Sequence, residues 1–353
     1  MASTTAHLGV LQIEPTDHCN LACAMCAPHA ERWQTVHGVP KGFLDLALYR
    51  RIVDGLVDDD CRFDHLLLQW LGDPSLHPRL EDMVAHASAR LRDRVGYLRF
   101  DTNGLLLGPD RLARLVVDRD VPLLVVFTLD AVTPETYLRV KGRDGLERAR
   151  RHIRHLLALR RHAPVNVQVQ FVVQAANAHE AGAFLRYWSD AFACHGHGAG
   201  HGEILFKRLS VGGGAAGQAE ADRLYERTLR EHGIVAHIDG ALSVTTWDER
   251  PWQRDDAHAA RTACPGPWLT PVVRQDGHLL ACCSDLRGEL DLGSLAHASF
   301  RTLWEGEKAT RLRLAHLDGR FEGVCKDCGG INWYALTAEH AATARRRAAQ
   351  LGL

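Results

Sequence analysis

The stretch Glu14-Pro15-Thr16-Asp17-His18-Cys19-Asn20-Leu21-Ala22-Cys23-Ala24-Met25-Cys26 follows directly on the apolar run Leu8-Gly9-Val10-Leu11-Gln12-Ile13 and sets three cysteines at C-x3-C-x2-C spacing. A loop of a few residues easily folds its sulfurs inward, so thiolates this close in sequence can converge on one metal centre. Tetrahedral zinc takes four ligands, commonly as two closely spaced pairs, and this run supplies three cysteines. Three thiolates on a cubane [4Fe-4S] cluster leave one iron open, which suits a cluster that must bind a substrate or cofactor. The simplest reading of any one cysteine is a small buried hydrophobe. It fits a triplet at this spacing poorly.

The chain holds ten cysteines in 353 residues, too few for a disulfide scaffold. Cys264, Cys282, Cys283, Cys325 and Cys328 form a second group that includes a C-x2-C pair, and Cys61 and Cys194 stand apart. Hydrophobic content of 46% against 24% charged residues excludes a disordered chain. Forty-two basic against 43 acidic residues argue against a broad nucleic-acid or membrane surface. The N-terminus lacks a basic segment followed by a long apolar run, and no stretch approaches the roughly 20 apolar residues of a membrane span. A cytoplasmic location follows as the expectation, and there thiols serve metals or catalysis more often than disulfides.

Outward from the cysteine loop, strands alternate with helices. The expected strands are Leu8–Ile13, His65–Trp70, Tyr97–Asp101, Leu123–Leu129, Val165–Val173 and Glu203–Leu209. Between them, helical spacing covers 43–57, 81–91, 111–117, 134–140, 146–161 and 180–191. Six such units predict a parallel sheet of right-handed βαβ connections, in which function gathers at the C-terminal strand ends. Each strand end carries a polar or glycine-containing turn: the cysteine loop, Gly72-Asp73-Pro74, Thr102-Asn103-Gly104, Thr128 and Asp130, Gln170 and Gln174, and Lys207. One such turn means little, since these residues serve backbone needs. The set in register with the strands means more.

Together these residues resemble the radical S-adenosylmethionine (SAM) superfamily over about residues 8–335. The Glu14–Cys26 run is similar to its cluster loop, with Met25 where the family often has an aromatic residue. Leu71-Gly72-Asp73-Pro74 is similar to the turn whose backbone receives the SAM amino group, with Leu71 and Asp73 in place of the usual Gly and Glu. Thr102-Asn103-Gly104 and Thr128-Leu129-Asp130 resemble segments lining the SAM ribose and carboxylate. The resemblance implies a partial (β/α)6 TIM-like barrel with a small C-terminal iron–sulfur domain of the twitch/SPASM type. It implies iron ligands Cys19, Cys23 and Cys26, and SAM contacts at Met25, Leu71, Gly72, Asp73, Pro74, Thr102, Asn103, Thr128, Asp130 and Gln170. The expected boundaries are 8–230 for the barrel, 231–262 for a linker, 263–335 for the cluster domain and 336–353 for a terminal helix.

The C-terminal segment is similar to the shorter, twitch form, since no cysteine follows Cys328. Cys264, Cys282, Cys325 and Cys328 suffice for one fully ligated auxiliary [4Fe-4S] cluster, and a structural zinc site is the competing reading. The implied cofactors are two [4Fe-4S] clusters and SAM. The implied partners are a small-molecule substrate and an electron donor such as flavodoxin or ferredoxin, with no nucleic acid and no membrane. The resemblance implies that SAM bound at the open iron is cleaved after one-electron reduction and that hydrogen is abstracted from a substrate C–H. The polar strand ends suit a hydroxyl-rich or amine-bearing molecule, and the resemblance implies a carbohydrate or aminocyclitol-like one oxidised from alcohol to ketone. Epimerisation, with the spare Cys283 thiol returning hydrogen, and peptide modification are the alternatives. A zinc or iron–sulfur binding or sensor protein is the non-enzyme alternative. Arg139, Lys141 and Arg143 are candidates for a carboxylate or phosphate, or a solvated helix end. His195, His197 and His201 read as solvated loop histidines.

Overall fold

The computed structural model describes residues 7–353 except 31–32, 37, 118, 196–199, 211–214, 240–241, 248–262, 329 and 332–333. The Gly212–Gly214 turn and His197 lie outside the described residues. In chain order the strands are β1 (His7–Ile13), the short hairpin β2 (Thr35–Val36) and β3 (Val39–Pro40), β4 (Arg62–Leu67), β5 (Val95–Thr102), β6 (Leu123–Thr128), β7 (Val165–Val173), β8 (Gly202–Arg208), β9 (His237–Asp239), β10 (Leu242–Thr246), β11 (Val272–Val273), β12 (His278–Leu280) and β13 (Asp291–Ser294). Eleven of them form one sheet in the order β13-β12-β11-β1-β4-β5-β6-β7-β8-β10-β9. Strands β1 and β4 to β8 run parallel, each joined to the next through helices. That is the partial six-unit barrel read from the strand–helix alternation.

Alternation within each strand sorts the two faces. Leu98, Phe100, Val125, Phe127, Val167, Val169, Phe171, Ile204 and Phe206 turn outward under the helices and are fully buried. Helix Leu146–Leu159 meets them with Leu146, Ala149, Ile153, Leu156 and Leu157, the stripe its spacing predicts. Each such side chain contributes about 1.5–3 kcal/mol of burial. The opposite face is unlike the usual packed barrel interior of branched apolar residues. Tyr97, Arg99, Asp101, Gln168, Gln170, Glu203 and Lys207 occupy it, in register across the neighbouring strands.

The barrel does not close. On the free edge of β1, β11 pairs parallel through Gln12↔Val272 and Ile13↔Val273. The antiparallel β12 and β13 then carry the sheet into the C-terminal segment. On the other edge β10 pairs parallel with β8 and antiparallel with β9. The stretch 231–262, expected as a linker, therefore contributes two strands to the sheet. Helix Ala338–Leu351 packs through Ala344 and Ala348. Among the described residues no helix is long and apolar enough to cross a membrane.

Candidate functional site

Strand β1 ends at Ile13, and the cysteine loop that follows is held from several sides. Glu14, 1% exposed, accepts the amides of Leu71 (2.6 Å) and Gly72 (2.8 Å) on one carboxylate oxygen. The Asp73 amide donates to the His18 carbonyl at 2.9 Å. The Leu71–Pro74 turn therefore lies flat on the loop. A Cβ at Gly72 would overlap the Thr16 carbonyl and stand 2.6 Å from that of His18, so only glycine permits this approach. From the other side, the Ala22 and Ala24 amides donate to the carbonyls of Lys141 (3.2 Å) and Val140 (3.0 Å). Gly142 ends helix Pro134–Lys141 in the left-handed conformation, φ +72°, where a Cβ would come within 2.6 Å of the Ala22 carbonyl.

Cys19, Cys23 and Cys26 are half-buried on this loop. Burial, then Asp73, pushes the Cys19 thiol up to about 12. Burial likewise raises Cys23 and Cys26, and Cys26 is further raised by Cys23. Three thiols that resist ionisation alone become good ligands only beside a cation that offsets their desolvation and repulsion. That donor set fits iron.

The strand ends that should meet SAM divide into two kinds. Asp73, Thr102 and Asn103 are tied to one another. The Asp73 carboxylate accepts from the Ser75 amide (2.9 Å), the Ser75 hydroxyl (2.6 Å), the Thr102 hydroxyl (3.0 Å) and the Asn103 amide (2.8 Å). The Asn103 side chain donates to Asn20 Oδ1 at 2.7 Å, back on the cysteine loop. Asp130 is also engaged. Its carboxylate, 1% exposed, lies 2.5 Å from Lys141 Nζ and accepts the Val172 amide at 2.7 Å. As SAM contacts, these residues have backbone and position to offer more than free side chains. Thr128 and Gln170, Cα partners across β6 and β7, form the second kind. Gln170 is 5% exposed, and among the described residues its Oε1 has no hydrogen-bond partner. An orphaned buried acceptor costs about 1–3 kcal/mol, and a ligand hydroxyl satisfies it. Met25 remains half-exposed beside Cys26. Of the basic trio, Arg139 and Arg143 are exposed and Lys141 is buried. Burial alone would lower Lys141, but Asp130 and then the Cys23 sulfur outweigh it and hold the ammonium charged.

The C-terminal cysteines form a second centre. Cys264, Cys282, Cys325 and Cys328 line one small cavity with Pro267, Asp285 and Ile331. Backbone amides point at the sulfurs: Ile331 at Cys264 (3.2 Å), Gly330 at Cys328 (3.4 Å) and Ser284 at Cys282 (3.5 Å). Such donors stabilise thiolate charge and tune cluster potential. The fully buried Asp285 organises the intervening loop by accepting the Glu289 (3.1 Å) and Leu290 (2.8 Å) amides. The Cys283 carbonyl accepts Trp70 Nε1 at 2.9 Å, and the Cys282 sulfur beside it lowers the Cys283 thiol pKa against burial. Cys283 thus stands between the four-cysteine cavity and the loop after β4. Cys61 is buried just before β4, at the strand end away from the cysteine loop, as expected. His195 ends helix Ala181–His195, while His201 Nε2 pairs with Ser243 Oγ at 2.7 Å. A roomier cleft, about 850 Å³, lies outside the barrel between Arg50, Asp54 and His297 and gathers none of the cysteines.

The sequence points neither to Glu14 as an acceptor nor to the pairing of Asp130 with Lys141, and it marks Lys207 only as a strand-end residue. An acid at a strand end before a proline was the available signal for Glu14. Burial raises its pKa to about 8, against the two amide donors that lower it. A carboxyl raised on folding contributes stability that is present below its unfolded value and lost as pH climbs through about 8. Wild-type unfolding free energy is therefore expected to fall by a few kcal/mol between pH 5 and 8. Glu14→Gln, which keeps the acceptor oxygen, should flatten that slope in urea titrations, and an unchanged slope refutes the assignment.

Two family models match the chain: Radical SAM superfamily over residues 13–169, and SPASM, an iron-sulfur cluster-binding domain, over residues 264–329. The chain is 32% identical over 142 residues to the GTP 3',8-cyclase of Synechococcus sp. (strain CC9902), a match covering 39% of this chain and 36% of that protein. The matched stretch thus spans about a third of that relative. Among solved structures, native anSMEcpe with bound AdoMet superposes with a TM-score of 0.60 at 14% identity, covering 97% of each chain. SuiB of Streptococcus suis bound to S-adenosylmethionine gives 0.59 at 11% identity, over 93% of this chain and 73% of that one. At these identities the superpositions show the fold. With both family models matched in the order the strands and cysteines require, the chain belongs to the radical SAM superfamily and carries a SPASM-type iron–sulfur domain.

Proposed function

We propose that this radical SAM enzyme abstracts hydrogen from an unactivated C–H of a polar, carbohydrate or aminocyclitol-like small molecule and oxidises an alcohol to a ketone. The polar lumen carries this reading. Arg99 forms a two-point ion pair with Asp101 at 2.7 Å. Glu203 accepts from Gln168 Nε2 and, at 2.5 Å, from Thr245 Oγ1. His65 stacks on Tyr97 at 4.6 Å and is held down at about 4, hence neutral, by burial and by Arg99. A chamber of this chemistry satisfies hydroxyls and amines and offers little to an apolar ligand.

When bound, the cofactors supply a hydrogen-abstracting radical and an acceptor for the electron that leaves the substrate. Cys19, Cys23 and Cys26 hold the first cluster, and Cys264, Cys282, Cys325 and Cys328 the auxiliary one. The Leu71–Pro74 backbone receives SAM, Thr128 and Gln170 meet its hydroxyls, and Met25 packs on its adenine. An external flavodoxin- or ferredoxin-like protein delivers the first electron. Cys283 favours a second reading, epimerisation, because its carbonyl accepts Trp70 Nε1 of the loop after β4, which sets this spare thiol between the barrel and the auxiliary site. Oxidation stands first because the adjacent Cys282 lines the auxiliary cavity itself. Turnover in deuterium oxide separates the two. A ketone matched by one 5'-deoxyadenosine per product supports oxidation. Deuterium at an inverted carbon, lost in Cys283→Ala, overturns it.

A further inference from the structure

Most charges that reach the upper lumen are neutralised inside the protein. Arg99 is paired with Asp101, and Lys141 with Asp130. Arg208, the next residue along β8, faces outward to Asp222 at 3.1 Å. Lys207 is different. It is the Cα partner of Val172 and alternates with the outward-facing Phe206 and Arg208, so its side chain enters the chamber near the strand ends. Its ammonium lies 4.6 Å above the ring of Trp247, which follows β10. It has no carboxylate or hydrogen-bond acceptor among the described residues. Burial first, then Arg99, lowers its pKa, while Asp101 and Asp130 oppose this from a distance. Lys207 is half-buried, so its ammonium is only partly withdrawn from water, and the one aromatic face beside it returns about 0.5–2 kcal/mol.

We infer that Lys207, seated on Trp247 at the end of β8, anchors an oxyanion of the substrate, a carboxylate or a phosphate. The inference rests on the lumen being the substrate chamber, and it narrows the substrate from polar to anionic. Trp247 keeps the ammonium aimed into the chamber, because the indole face holds one side of it. A neutral polyol could satisfy one N–H of Lys207 but would leave the charge uncompensated, whereas an oxyanion meets both needs.

The test uses the reconstituted holoenzyme with SAM bound and requires no turnover, so a failure of the ketone assignment would leave its result intact. Acetylation of Lys207 by acetic anhydride is followed by mass spectrometry, with inorganic phosphate, acetate and myo-inositol as probes. Phosphate or acetate is expected to slow modification of Lys207 several-fold relative to the exposed lysines, and inositol to leave it unchanged. Equal protection by inositol, or none by either anion, overturns the inference. Protection by SAM alone as complete as with phosphate assigns the ammonium to SAM and overturns it as well. In calorimetric titration, Lys207→Met should weaken phosphate binding at least about tenfold, equal to about 1.4 kcal/mol, and Lys207→Arg should retain it. Wild-type iron content shows that each variant is folded, and wild-type phosphate affinity in the Met variant refutes the assignment.

Discussion

Cys23→Ala is expected to carry about four irons per chain after anaerobic reconstitution where the wild type carries about eight, and to form no detectable 5'-deoxyadenosine from SAM under reduction. The loop explains why one sulfur matters so much. The Ala22 and Ala24 amides on either side of Cys23 are pinned to the carbonyls of Lys141 and Val140, so no neighbouring thiol can swing into the vacated place. The Lys141 charge opposes the burial that raises the Cys23 thiol, and alanine removes the thiolate that this charge favours. Cys328→Ala separates the two centres. It should lose the auxiliary iron, leave SAM cleavage within a few-fold of wild type and abolish substrate turnover. Full iron in Cys23→Ala, or SAM cleavage by it, would remove Cys23 from the ligand set. Zinc in place of iron at the C-terminal cysteines would favour the structural-site reading that their spacing also permits.

Periodicity read the barrel well, because each parallel strand keeps a buried apolar face with a strong helix behind it. Strand β7 runs from Val165 to Val173 as expected, and helix Leu146–Leu159 differs only at its arginine-rich end. The hairpin of β9 and β10 was hidden, since three fully exposed residues, His237–Asp239, carry no alternation to detect. The two-residue β11 is too short for any pattern, and its place beside β1 depends on a contact 260 residues distant in sequence. At the site, spacing sufficed for the cysteines because their chemistry is local. It failed for Asp130 and Lys141. Each was taken alone as a possible SAM or anion ligand, yet an intervening helix folds the lysine back onto the aspartate. Lys207 was visible only as a strand-end lysine. That it lacks a carboxylate depends on how Arg99, Lys141 and Arg208 are paired, which no local sequence records.

The Asp130–Lys141 pair gives the largest expected loss of stability. Both side chains are almost completely enclosed, 1% and 3% exposed, so removing one partner strands the other charge away from water. Asp130→Ala should therefore cost about 3–5 kcal/mol, read as a lower urea midpoint at unchanged slope. Three effects act together in that variant. Lys141 loses its counter-ion, the Val172 amide loses its acceptor, and a residue with φ +61° loses the short polar side chain that tolerates the left-handed region. Asp130→Asn retains the acceptor and the backbone tolerance, so the difference between the two variants isolates the charge. Replacing both partners, Asp130→Asn with Lys141→Met, should recover part of the loss, because no buried ion is then left unpaired. The consequence reaches the chemistry through two carbonyls. Val140 and Lys141 hold the cysteine loop by the Ala24 and Ala22 amides, so a helix end freed from Asp130 should also lower iron occupancy at Cys19, Cys23 and Cys26 while leaving the C-terminal centre filled. A cost below about 1 kcal/mol, or equal iron loss at both centres, would show that the pair neither bears on stability as its burial implies nor supports the cluster loop.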